Sequence, residues 1–203
     1  MPEDSSRGMN PRRCGDAMSS DLSRCRVNLV QQVEPATPAA RRQAVLLNEG
    51  PEGPSRWVIE RNHLYGVPEH AIHAHRLYGT SISDNYIEGF GETAQGGIWY
   101  GIEATIQGDK ASTIANNKVF TGDEDNGGSI YRYIGISGVN YNHGVVSVTG
   151  NAVRGAGTPR GFGLYYSQGG GDGLTVASSG NIITDIGSAL ATEGDDVMVT
   201  PVI

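Results

Sequence analysis

The sequence predicts an all-β protein: a parallel β-helix, or solenoid, of about five coils preceded by a mostly irregular segment. Three observations carry this. A short pattern, aliphatic–x–x–Asn–x–aliphatic, recurs along the second half and more of the 203 residues. No long apolar run with a 3.6-residue period appears after residue 50, so amphipathic helices are not encoded there. Thirty glycines and a low charged fraction of 18% favour many short strands joined by tight turns.

Residues 1–55 form the first segment. They hold six of the nine prolines (Pro2, Pro11, Pro35, Pro38, Pro51 and Pro54) together with much Arg, Ser and Asp. This composition reads as loop or a cap. A brief helix over 38–48, "PAARRQAVLLN", fits its Ala and Leu content, and its apolar side would cover the end of something larger. The two cysteines, Cys14 and Cys25, both fall here; two thiols in a loose segment is the plain reading, and one bridge in an oxidising compartment the other.

Residues 56–203 form the second and main domain. Its repeats are "IERNHLYG" (59–66), "ISDNYIEG" (82–89), "IANNKVFTG" (114–122), "VTGNAVRG" (148–155) and "SSGNIITD" (178–185). The asparagines Asn62, Asn85, Asn117, Asn151 and Asn181 are spaced 23, 32, 34 and 30 residues apart. Leu64, Ile87, Val119, Val153 and Ile183 follow two residues later. Such a period marks a solenoid. Helical repeats lack the amphipathic stretch they need, and leucine-rich repeats lack their leucine frame. A β-helix coil needs about 22 residues, and longer spacings are loops at one corner. Asparagine suits a corner because it tolerates left-handed backbone, and amides stacked about 4.8 Å apart can hydrogen-bond in a ladder.

A further strand is visible in each unit: "AIHAH" (71–75), "GIWYGIEA" (97–104), "YIGISGVN" (133–140) and "GFGLYYS" (161–167). Aligning Ile72, Ile98, Ile136 and Leu164 as inward residues puts His73, Trp99, Ser137 and Tyr165 in an outward row. The period-2 rule adds His75 and Glu103 to that face. A one-residue slip reverses the assignment.

The repeat "I-x-x-N-x-I/V/L-x-G" over roughly residues 56–187 resembles that of right-handed parallel β-helices of the pectin-lyase-like superfamily. That superfamily includes polysaccharide lyases, glycoside hydrolases, uronate epimerases and phage tailspikes. The resemblance implies a polysaccharide held along the side of the helix. Of the polygalacturonase-like motifs, only "NHG" (142–144) and "DD" (195–196) have counterparts, and the epimerase-type signature has none. The resemblance therefore implies a substrate class and leaves the reaction open.

Candidate chemistry follows from the outward residues. His63, His70, His73 and His75 lie within 13 residues. His73-x-His75 sets two imidazoles on one strand face, suited to a general base or, with Glu69 or Glu103 as a third ligand, to a metal. Hydrogen-bonded surface histidines are the plain alternative, and no metal site is assigned. In the enzyme reading His73 or His75 acts as base and Glu103 as acid, while Trp99 and Tyr165 stack on sugar rings. A lyase also needs a cation to neutralise a uronate, and Arg132 is one of four available. The acidic, glycine-rich loops 122–128, 169–173 and 193–196 suit calcium, though ordinary turn chemistry explains them. The competing reading is a non-catalytic stalk or tailspike-like module assembled as a homotrimer, or a fragment of a longer β-helix.

Exclusions come from charge and hydropathy. A net charge of −7 argues against a nucleic-acid partner, whose phosphates demand clustered Lys and Arg. No stretch approaches 18 apolar residues, so no helical membrane span is expected. The first residues lack the apolar core of a secretory signal, so the compartment stays open; an extracellular or virion-associated role fits the resemblance.

Overall fold

The computed structural model describes residues 26–27, 30–32, 45–47, 57–91, 96–121, 128–138, 143–157, 159–170 and 172–201. Among them there is no helix. The chain winds three strands per coil. The first set is β1 (Arg26–Val27), β2 (Val30–Gln32) and β3 (Val45–Leu47). Next come β4 (Val58–Glu60), β5 (His63–Val67) and β6 (Ile72–Leu77), then β7 (Ser81–Ser83), β8 (Tyr86–Phe90) and β9 (Ile98–Ile106). They are followed by β10 (Ser112–Ala115), β11 (Lys118–Phe120) and β12 (Ile130–Gly138). Then come β13 (Gly144–Thr149), β14 (Ala152–Arg154) and β15 (Phe162–Ser167). The last are β16 (Leu174–Ser179), β17 (Ile182–Thr184), β18 (Ser188–Glu193) and β19 (Val197–Pro201).

Each strand pairs in parallel with its equivalent one coil away. Three parallel sheets result, of seven, six and six strands: sheet A from β1 to β19, sheet B from β2 to β17 and sheet C from β3 to β18. This is a parallel β-solenoid. The helix expected over 38–48 is not formed at 45–47, where β3 instead pairs with β6; β-branched and leucine side chains suit an edge of a parallel sheet as well as a helix. The remainder of that stretch, Cys14, Cys25 and the loop 122–127 lie outside the described residues.

The repeat builds the core. Ile59, Ile82, Ile114 and Val148 stack in register in sheet A, and all are buried. Leu64, Ile87, Val119 and Val153 do the same in sheet B. Ile72, Ile102, Ile134 and Leu164 form the third row, in sheet C. Each such side chain contributes about 1.5–3 kcal/mol by leaving water.

Between sheets A and B the asparagines form a continuous ladder. Asn62 Nδ2 donates to Asn85 Oδ1 (2.8 Å), Asn85 Nδ2 to Asn117 Oδ1 (2.9 Å), Asn117 Nδ2 to Asn151 Oδ1 (3.0 Å) and Asn151 Nδ2 to Asn181 Oδ1 (2.9 Å). The left-handed corner residue is not the asparagine but the one before it: Arg61, Asp84 and Asn116 at φ 56°, then Gly150 at 66° and Gly180 at 64°. Asp, Asn and Gly are the residue types that accept this region most readily. The sharp turn is made there, and it frees the next side chain to point along the coil axis.

Candidate functional site

The outer face of sheet C gathers the chemistry. Its register differs from the sequence alignment. Ile72 pairs with Ile102, four residues beyond Ile98, and Ile102 pairs with Ile134, not Ile136. Pairing between β9 and β12 also passes over Gly101 and Tyr133. Tyr133 and Ile134 are both buried, so the in–out alternation resets at this bend. Three outward rows result; Thr105, Ser137, Ser167 and Glu193 form one, and the other two carry the chemistry. One holds Tyr100, Arg132 and Phe162; the other holds His73, Glu103, Gly135 and Tyr165.

His73 and Glu103 are direct cross-strand neighbours on β6 and β9. His73 Nδ1 meets Glu103 Oε2, and both atoms are shut off from solvent. His73 Nε2 in turn meets His75 Nε2, with the two rings 4.1 Å apart. His70 completes the group: its Nδ1 accepts the Tyr100 amide N–H at 3.2 Å, and its Nε2 lies 3.8 Å from Glu103 Oε2.

One choice of tautomers is consistent with these contacts. Glu103 is an acceptor only, so His73 carries its proton on Nδ1 and offers the Nε2 lone pair to His75. His75 Nε2 is then the donor, which leaves the lone pair on His75 Nδ1. The result is a carboxylate–imidazole–imidazole relay. Burial lowers the pKa of His75, with neighbouring His73 adding to it, and burial likewise lowers that of His70 against the opposing pull of Glu103. For Glu103, burial works to raise the carboxyl, but His73, His70 and His75 together hold it below its ordinary value. An ionised carboxyl accepts hydrogen bonds and orients its partners, whereas the acid role expected of Glu103 from the sequence needs the protonated form.

Among the described residues, His70, His73 and Glu103 are the group whose ligand atoms approach closely enough to suggest a metal, all within 4.8 Å. Their hydrogen bonds speak against one. The Nδ1 lone pair of His70 is spent on the Tyr100 amide, so its Nε2 bears a proton toward Glu103, whereas a metal-ligating imidazole offers a lone pair and donates through its other nitrogen.

On the adjoining coils, Arg132 is held flat. Its guanidinium carbon lies 3.5 Å over the centre of the Tyr165 ring, and Nη1 donates to Tyr100 Oη at 2.5 Å. Among the described residues it has no carboxylate partner, and its buried Nε makes no hydrogen bond. Gly135 makes this possible, because a Cβ at that position would overlap the Tyr100 ring. Burial raises the Tyr100 phenol against the opposing effect of Arg132, so it stays neutral. Tyr165 Oη donates to Glu193, on β18.

The predicted residues thus divide. His73, His75, Glu103 and Arg132 share one face with Tyr165. Tyr165 is only 6% exposed and is covered by Arg132, so it supports the cation and offers no sugar platform. Trp99 is partly buried against the core, its Nε1 donating to Ser129 Oγ at 3.1 Å, and a Cβ at Gly91 would meet its Cγ at 2.6 Å. Trp99 belongs to a packed corner, not to the outward row. Sequence reasoning named His70 among the four clustered histidines but gave it no role, and it gave none to Tyr100, which sits behind the unforeseen bend. Compared with protein-family models, curated proteins and solved structures, the chain gives no match.

Proposed function

We propose that the outer face of sheet C recognises an acidic polysaccharide and cleaves it by elimination at a uronate. The observation that carries this is Arg132: a guanidinium half-buried on a solenoid flank, stacked and hydrogen-bonded into place, yet facing no carboxylate of its own among the described residues. A guanidinium fixed in this way is a ready partner for a planar carboxylate. One coil back lies Glu103, and two coils back the imidazole relay that ends on His75 Nδ1. In this reading Arg132 neutralises the uronate carboxylate, which makes the adjacent C–H acidic. His75 Nδ1 takes that proton, and the charge passes toward His73 and is stabilised by Glu103. The electron pair forms the new double bond as the glycosidic oxygen departs, and the neutral Tyr100 hydroxyl is positioned beside Arg132 to protonate it.

Hydrolysis is less well supported, because it needs one carboxyl kept protonated beside a second carboxylate. Glu103 is held ionised, and Glu193 is engaged by Tyr165. An array of short uronate oligosaccharides with wild type and Arg132→Ala tests recognition at this face: wild type should retain them and the variant should not. Equal binding by both would remove the proposed face.

A second reading, a structural β-helix that assembles with further copies, is favoured by Ile182, Leu190 and Met198. These are 65%, 43% and 54% exposed on the last coil and the strand after it. Light scattering of a monodisperse monomer would count against it.

A further inference from the structure

Sheet B carries an exposed surface that the catalytic reading does not use. Its inward row is the aliphatic stack, so the residues on either side of it face out. Register sets His63, Tyr86, Lys118, Ala152 and Ile182 in one outer row. Tyr65, Glu88, Phe120, Arg154 and Thr184 form the other. Tyr65 is 55% exposed, whereas the tyrosines of β12 and β15 on sheet C are all nearly covered. The rings on sheet B touch from coil to coil: His63 and Tyr86 at 4.8 Å, Tyr86 and Phe120 at 5.6 Å, with Arg154 5.4 Å from the Phe120 ring.

We infer that this face is a second binding platform for an acidic glycan, separate from the reactive face of sheet C. Three features point to a sugar polymer. The rings form a ridge along the solenoid axis, broken at each step by a polar side chain, which is how amphipathic pyranose rings are gripped. Tyr86 Oη is fixed by donating to Glu88 Oε2 at 3.0 Å, so its ring has one orientation. At the foot of the ridge, an open hollow of about 420 Å³ is lined by Arg61, Asn62, His63, Asp84, Tyr86 and Glu88, a monosaccharide-scale recess with hydrogen-bonding walls. The acidic class follows from charge. Lys118 and Arg154 are exposed and form no ion pair among the described residues, and with Arg61 these cations stand against the two carboxylates that line the hollow, Asp84 and Glu88. The ligand class rests on the polysaccharide reading above, but the site, its residues and its test are independent of turnover. Its role is to hold a long chain while sheet C works on one part of it.

The test compares wild type, Tyr65→Ala/Phe120→Ala, Arg154→Ala and, for the other face, Arg132→Ala. Binding to soluble polygalacturonate and alginate is followed by affinity electrophoresis, with neutral xylan as the control polymer and circular dichroism to verify folding. The ring variant should bind a uronate polymer about tenfold more weakly, and Arg154→Ala several-fold more weakly. Turnover of short uronate oligosaccharides should be unchanged in both. Arg132→Ala should show the reverse, losing turnover while keeping polymer affinity within about threefold. Unchanged polymer binding by the folded ring variant overturns the platform and leaves the sheet C reading standing. So does a ring variant whose only change, by light scattering, is loss of self-association, because the face is then an interface between copies. Equal weakening on neutral xylan overturns the acidic class.

Discussion

Asn117 stands at the middle of the corner ladder, and Asn117→Ala removes four hydrogen bonds at once. Its Oδ1 accepts from the Asn85 amide (3.1 Å) and from Asn85 Nδ2 (2.9 Å); its Nδ2 donates to Ile82 O and to Asn151 Oδ1, each at 3.0 Å. The residue is fully buried, so water cannot replace these partners. At about 1 kcal/mol net per bond the loss is about 4 kcal/mol, and more if the abandoned groups of Asn85 stay unpaired. For a chain of this size that is a fall in Tm of roughly 8–16 °C. Asn117→Asp keeps the acceptor but loses both donors and buries a charge, so it should cost at least as much. Asn181→Ala is the internal control: that rung ends the ladder and is only partly buried, so water can substitute, and about 1–2 kcal/mol should be lost. Urea unfolding followed by circular dichroism, with an unchanged m-value, measures all three. If Asn117→Ala lies within about 1 kcal/mol of wild type, or costs no more than Asn181→Ala, the ladder is not the stabilising spine inferred here.

Other expected outcomes follow from single contacts. Gly135→Ala should keep the fold yet abolish binding of short uronate oligosaccharides, because its methyl group displaces Tyr100 and with it the Arg132 anchor; an oligosaccharide array and a thermal melt together check this. Burial pushes the Tyr133 and Tyr166 phenols up to about 12. Because their folded values are raised, their contribution is complete below pH about 10 and is lost as pH climbs from about 10 through 12. The urea midpoint should therefore fall across that window, and less steeply in Tyr133→Phe/Tyr166→Phe. Depressed His75 and His70 should place the acid limb of kcat/KM below pH 6.5. Glu103→Gln removes the charge that raises both, so any residual activity should show the limb lower still; a shift upward would contradict the relay.

Much of this was legible in the residues, and the gaps have physical causes. Aliphatic positions three before and two after each asparagine must face inward if the chain turns beside it, and Ile82 and Ile87 do, with the turn itself made at Asp84. That His73 and Glu103 share the outer face also follows from alternation, but not that they are direct cross-strand neighbours. What alternation cannot show is register across coils joined by loops of different length, since shifts by an even number of residues keep the same face inward. Ile98 was therefore exchanged for Ile102. Nor does a period-2 pattern reveal a bend such as that at Gly101 and Tyr133, which turns Tyr100 and Arg132 outward. Tyr165 illustrates a third limit: its ring is on the outer face, yet Arg132 from the neighbouring coil covers it. Sequence reading expected exposed rings at Trp99 and Tyr165 on sheet C, whereas the exposed Tyr65 stands on sheet B.

The most direct test of the central claim is product formation from polyuronides, read as the ultraviolet absorbance of an unsaturated uronate end. Wild type should generate this signal from at least one uronate polymer, and folded His75→Ala and Arg132→Ala should each lose it by at least a hundredfold. No signal from wild type on any polyuronide, or an undiminished signal from His75→Ala, would contradict the account.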